Sequence, residues 1–256
     1  AGTKFTLESG TIESDPNKTS LQSVAINSEN GKACEVNIKG GSVTVVPEAA
    51  TKGRAIVAST NSMTLNISGG TITGGWYGVD AYSGSNVNIT GGEITARVVD
   101  TGVIKETYGM RIIGTANVTV AGGEITGVKM DDNGYNPDVP NVTLKSGTIN
   151  GSFYSVSKGT IVFNVAEDAE ITFANDTVKK FLPDTVELVK TPAGTYGVAK
   201  AKVNVAKIGN TEYATLKEAI NAANTGDTIT LLTDVDLEKS NQMLYSTATG
   251  KTNVHN

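Results

Sequence analysis

Two side chains in this sequence could set an acid beside a base. Asp80 closes the tetrapeptide Tyr77-Gly78-Val79-Asp80, and Arg111 closes Tyr108-Gly109-Met110-Arg111. If these tetrapeptides are matching pieces of adjacent strands, carboxylate and guanidinium stand one inter-strand spacing apart, about 4.8 Å. General acid–base work needs a second titratable group in reach. The equivalent positions Asn27, Val57 and Ser157 supply none. The spacing therefore points to a surface ion pair, worth about 0–1 kcal/mol, that can also serve as a polar contact for a ligand. Other reactive residue types are scarce. The single histidine, His255, and the single cysteine, Cys34, leave no Ser/His/Asp or Cys/His set, no multi-His metal site and no internal disulfide. Cys34 alternates with Val36 and Ile38 and is expected in the core.

Aromatic residues gather around the same segment: Trp76-Tyr77, Tyr108 and Tyr154, with Tyr82 nearby. Exposed rings stacked at strand spacing would make a platform for sugar rings or for a partner protein. Trp76 flanks Gly74-Gly75 and is expected to be partly exposed. The candidate binding set is Trp76, Tyr77, Asp80, Tyr108 and Arg111. A metal site has one weaker candidate, the stretch Asp131–Asp138, where Asp131, Asn133, Asn136 and Asp138 offer oxygen ligands to calcium. Tyr135 stands where an EF-hand would place a ligand, and Asx and Gly turns explain the same letters. No other cofactor is expected.

The elements that must hold these side chains are written as a repeat. The nine-residue pattern apolar-x-apolar-x-Gly-Gly-x-apolar-Thr occurs at Val36–Thr44, Leu65–Thr73, Val87–Thr95 and Val118–Thr126, with looser copies at Phe5–Glu13 and Val142–Asn150. Their starts lie 31, 29, 22, 31 and 24 residues apart. Repetition at this period marks a solenoid. Each copy reads as two short strands joined at the Gly pair, and a third apolar segment follows in most copies, as at 24–26, 54–56, 77–79, 108–110 and 154–156. Three short strands per turn describe one coil of a parallel β-helix, in which like residues stack over like and a narrow aliphatic interior forms. The stacking predicts a hydrogen-bonded ladder of Asn37, Asn66 and Asn88 and places Glu93 above Glu124. Nearly all variation in coil length falls between the second and third strands, so loops 13–23, 45–54 and 95–107 are expected at one corner.

The pattern fades after about residue 160. The stretch 186–200 predicts two strands around Thr191-Pro192-Ala193-Gly194. A strand near 203–208 follows, then a helix at about 216–223 opened by the capping box Thr215-x-x-Glu218 and closed by Gly226, then a strand at 229–235. The resulting expectation is an all-β chain: a right-handed parallel β-helix of about seven coils over 1–182, a strand pair at 183–202, and a strand-helix-strand segment at 203–256.

The repeated wording resembles the right-handed parallel β-helix, or pectin-lyase-like, superfamily, and within it the repetitive adhesin-like surface proteins of Gram-positive gut bacteria. The block Ile208–Leu237 is similar to the module that opens a new β-helix in such proteins. The resemblance implies a surface-attached or secreted parent whose β-helical modules present binding loops to glycans or to host or bacterial surface proteins, with residues 203–256 as the truncated opening cap of a second module. A monomeric module within a longer chain is expected. The superfamily also contains polysaccharide lyases and glycoside hydrolases, so a carbohydrate-active enzyme is the competing expectation and an inert spacer the third. The net charge of −5 is dispersed and argues against nucleic acid. No apolar run approaches the roughly 18 residues of a membrane helix, and no membrane insertion is expected.

Overall fold

Alternation at period two puts apolar side chains on one face of every strand, and two sheets close those faces on each other. The computed structural model describes residues 2–14, 23–28, 32–46, 53–59, 63–97, 108–131, 138–201 and 204–234. The chain divides into two units, Ala1–Lys200 and Ala201–Asn256. In the first unit Thr3–Leu7, Cys34–Ile38, Met63–Gly74, Asn86–Ala96, Asn117–Ile125, Asn141–Ile149 and Asn164–Phe173 lie side by side, all parallel. The second parallel sheet takes Val24–Asn27, Arg54–Ala58, Tyr77–Ala81, Tyr108–Ile113, Val128–Asp131 and Phe153–Ser155. The chain visits the two sheets in turn, and each visit adds a strand to the same side. Val36, Leu65, Val87, Val118 and Val142 share a register column in the first sheet. Ile56, Val79 and Met110 do so in the second. Both columns belong to one apolar core.

The Gly pairs are needed at the bend of each unit. A Cβ on Gly69 would stand 2.3 Å from the carbonyl oxygen of Lys39 on the neighbouring strand, and Gly70 adopts φ +79°, a left-handed conformation that glycine tolerates. In the central units the pairs do not split the strand as the sequence suggested. Met63–Gly74 and Asn86–Ala96 pass through them, with the register shifting locally at Ser68. Ladder bonds on both sides carry the strand across the bend.

One strand of the first unit was not read from the sequence. Val128–Asp131 supplies the third segment of its unit and pairs with both Tyr108–Ile113 and Phe153–Ser155. It also shifts the next strand by three residues: Phe153, not Val156, occupies the core column of Met110 and Val128. At that end of the core Phe153 meets Phe163, Phe173 and Phe181 at centroid distances of 5.4, 5.9 and 6.2 Å. Phe181 ends a 3₁₀ helix, Asp176–Phe181, whose N-cap Asn175 accepts from the Thr177 N–H. The expected hairpin forms from Val186–Lys190 and Tyr196–Lys200, turning at Thr191–Gly194.

The second unit is a small antiparallel sheet of Ala206–Ile208, Thr211–Tyr213 and Ile229–Leu231, with the helix Leu216–Ala222 burying Leu216 and Ala219 against Ala206. The capping box is present in both directions, Thr215 accepting from the Glu218 N–H and Glu218 accepting from that of Thr215. Gly226 does not close the helix. Ala223 already leaves it in extended conformation, and Gly226, at φ +95°, serves the turn beyond, where the Asp227 N–H donates to the Asn224 carbonyl. The strand Thr211–Tyr213 was not anticipated.

Candidate functional site

The outer face of the second sheet collects the sequence-predicted chemistry. Register pairs Asp80 with Arg111 and with Val57, and Val57 with Asn27, as the matching tetrapeptides implied. Beyond Arg111 the column continues through Lys129 to Tyr154; Ser157 is not part of it. The extra strand Val128–Asp131 accounts for the difference.

The Asp80–Arg111 pair is not a surface contact. Asp80 is fully buried, and its carboxylate is enclosed by donors. Arg111 donates through Nε to Oδ1 at 2.8 Å and through Nη2 to Oδ2 at 2.6 Å, a two-pronged grip that suits a planar guanidinium. Arg54 Nη1 donates to the same Oδ2 at 3.0 Å. Arg54 was expected only as a column mate of Tyr77, and so it is by register. Asp80 stands three residues further along the neighbouring strand, roughly 10 Å at ordinary strand rise, and the Arg54 and Asp80 side chains close that distance between them. The Tyr82 hydroxyl accepts from both arginines, at 3.1 and 3.2 Å.

Aromatic rings wall this cluster. The Arg111 guanidinium carbon lies 4.7 Å from the Tyr77 ring centroid and 5.8 Å from that of Tyr82. Trp76 is half-buried and stacks on Tyr77, with centroids 5.0 Å apart. Tyr77 and Tyr108 are buried, which removes them from any exposed platform. Tyr154, stacked on Tyr108 at 6.3 Å, is the ring that faces solvent. Burial pushes the Tyr77 phenol well above its ordinary pKa, and its hydroxyl has no hydrogen-bond partner. Burial opposes the charge of Arg111, but the hydrogen bonds and the charge of Asp80 outweigh it and raise the guanidinium above its ordinary value.

Asp131 sits at the border of this cluster. Its Oδ2 lies 3.6 Å from Arg111 Nη1 and 3.4 Å from Lys129 Nζ, while Oδ1 is buried without a partner. Its prospective co-ligands Asn133 and Asn136 fall outside the described residues, and Asp138 is half-buried. Among the described residues no three His, Cys, Asp or Glu side chains are grouped to hold a metal ion. Glu93 and Glu124 do share a column, and both are exposed. The predicted ladder exists: Asn66 donates to Asn37 at 2.9 Å, and Asn88 donates to Asn66 at 2.8 Å. A second ladder, Asn86, Asn117, Asn141 and Asn164, runs beside it. Cys34 is half-buried: it lies on the second strand of the sheet, between Thr3 and Met63, and lines a cavity at that end of the core.

Both oxygens of Asp80 are thus taken by guanidinium donors, out of reach of solvent, so the group best placed to act as a base is enclosed. The loops expected to carry recognition, 13–23, 45–54 and 95–107, lie mostly outside the described residues. No family model matches the chain, and neither a curated protein nor a solved structure matches it. Among the described residues no helix is long and apolar enough to cross a membrane.

Proposed function

We propose that the chain is a non-catalytic, extracellular module of the adhesin-like kind, in which a right-handed parallel β-helix over residues 1–182 extends and presents binding surfaces. Two parallel sheets visited in turn around one core support the solenoid reading. The repeated Gly-Gly wording supports membership of the pectin-lyase-like superfamily and a place at the cell surface or in secretion. One observation carries the functional reading: the candidate acid–base pair is a closed cluster of Asp80 with Arg54 and Arg111, while Tyr154 and Trp76 keep ring surface at its rim. Sealed charges hold a scaffold, and accessible rings bind sugar or protein.

A glycan array, with a panel of bacterial and host surface proteins beside it, tests the proposal. Wild-type protein should bind a restricted set, and a Trp76→Ala/Tyr154→Ala variant of unchanged far-UV circular dichroism should lose that binding. Identical profiles for the two proteins would remove the rim from the reading. Binding to nothing would leave the module a spacer.

A further inference from the structure

Two arginines hold Asp80, and they hold it differently. Arg111 closes on the carboxylate with its Nε–Nη2 edge, one donor to each oxygen. Arg54 reaches Oδ2 with Nη1 alone and turns the same nitrogen to the Tyr82 hydroxyl. Arg54 therefore keeps its own Nε–Nη2 edge, the pair of parallel N–H groups that fits a carboxylate in two prongs. Among the described residues no acceptor meets that edge. It is not sealed in either. The buried side-chain polar atoms without a partner are Tyr77 Oη and Asp131 Oδ1, so the unspent nitrogens of Arg54 lie at the 16% of its side chain that is exposed.

Charge points the same way. Three cations here, Arg54, Arg111 and Lys129, face two carboxylates, Asp80 and Asp131. One positive charge is left over in a chain whose net charge is −5. Arg111 and Lys129 both approach Asp131, whereas Arg54 shares only the oxygen that Arg111 already grips. We propose that the Nε–Nη2 edge of Arg54 is a binding site for the carboxylate group of a ligand. A second carboxylate there repeats the grip of Arg111 on Asp80 and offsets the repulsion between two guanidinium groups held on one oxygen. A planar group of single charge matches both the fork and the surplus. An acidic sugar and a plain organic acid carry the same group. The site needs no ring surface, so it stands or falls apart from the binding proposed for Trp76 and Tyr154.

Nitrogen-15 NMR of the full chain tests the proposal, because Arg54, Arg97 and Arg111 are its only arginines and give three Nε–H signals. Sodium acetate, added against sodium chloride at equal ionic strength, should move the Arg54 signal to saturation with a Kd on the order of millimolar. The Arg111 signal, already engaged by Asp80, should stay. Arg54→Lys keeps the charge and loses the planar fork, and should weaken acetate roughly tenfold as read from the line width of the acetate methyl signal. Arg54→Met should abolish that broadening. In both variants Asp80 keeps Arg111, and unchanged circular dichroism separates loss of the site from loss of fold. Glucuronate beside acetate distinguishes the carriers: tighter binding of glucuronate assigns an acidic sugar, equal binding a plain organic acid. An Arg54 signal indifferent to acetate, as it would be if a carboxylate of the chain itself already held the edge, would overturn the proposal. So would variants that bind acetate as wild type does, or sulfate acting at lower concentration than acetate.

Discussion

Replacing Asp80 with asparagine removes one charge from beneath two guanidinium groups while preserving shape. Three hydrogen bonds, at 2.6, 2.8 and 3.0 Å, lose their anionic acceptor, and one of the two acceptor positions becomes an NH2 that cannot accept at all. Arg54 and Arg111, whose side chains are only 16% exposed, keep their charge and cannot turn it to water. Breaking a buried pair from one side costs about 3–5 kcal/mol, because the stranded charge remains. For a unit of this size each kcal/mol is worth about 2–4 °C, so the melting temperature should fall by around 10 °C. Urea unfolding and calorimetry of wild type and Asp80→Asn measure the loss. Lys39→Ala, which breaks the exposed Lys39–Glu8 pair, is the control and should cost no more than about 1 kcal/mol. A triple replacement, Arg54→Met/Asp80→Leu/Arg111→Met, should return most of the stability, since no charge is then left buried. If Asp80→Asn costs no more than the control, the cluster is a surface contact and the reasoning is wrong.

Tyr77→Phe deletes a buried hydroxyl without a partner and should stabilise the protein by about 1 kcal/mol in urea unfolding; a loss would reveal a hydrogen bond through water. Gly69→Ala forces a Cβ against the Lys39 carbonyl oxygen, a backbone atom, and should cost about 3 kcal/mol by the same measurement. Gly10→Ala, with open space around it but φ +88°, should cost only about 1 kcal/mol. Hydrogen bonds from Lys4 and Asn37 hold the Glu35 carboxyl below its ordinary pKa. Its contribution is therefore complete above the unfolded carboxylate range and is lost as pH falls through the lower folded value. An unfolding series from neutral to acid pH should show a flatter acid limb in Glu35→Gln; an unchanged limb would contradict this.

The sequence carried the framework because stacking makes each column a local rule. Val36, Leu65 and Val87 could be aligned by eye, and the Asp80–Arg111 register and the Asn37–Asn66–Asn88 ladder followed from that alignment. What escaped was set by depth and by reach. The alternation Val128-Lys129-Met130-Asp131 was legible as a strand, but only two residues part it from Asn117–Ile125, so no loop marked it off as a separate segment. Missing it misplaced Tyr154 by three residues. Arg54 sits in the Tyr77 column, and only the combined reach of the two side chains brings it to Asp80, so position alone could not reveal the three-membered cluster. Burial of Asp80 depends on side chains from three strands and on Tyr82, a convergence that no single repeat spells out.

The reading of this chain as a scaffold without chemistry is tested most directly by product formation. Wild-type protein incubated with acidic and neutral polysaccharides, monitored for unsaturated and reducing ends, should generate none. New ends that appear with wild type and vanish with Asp80→Ala, folded as judged by circular dichroism, would contradict it and make the buried cluster an active site.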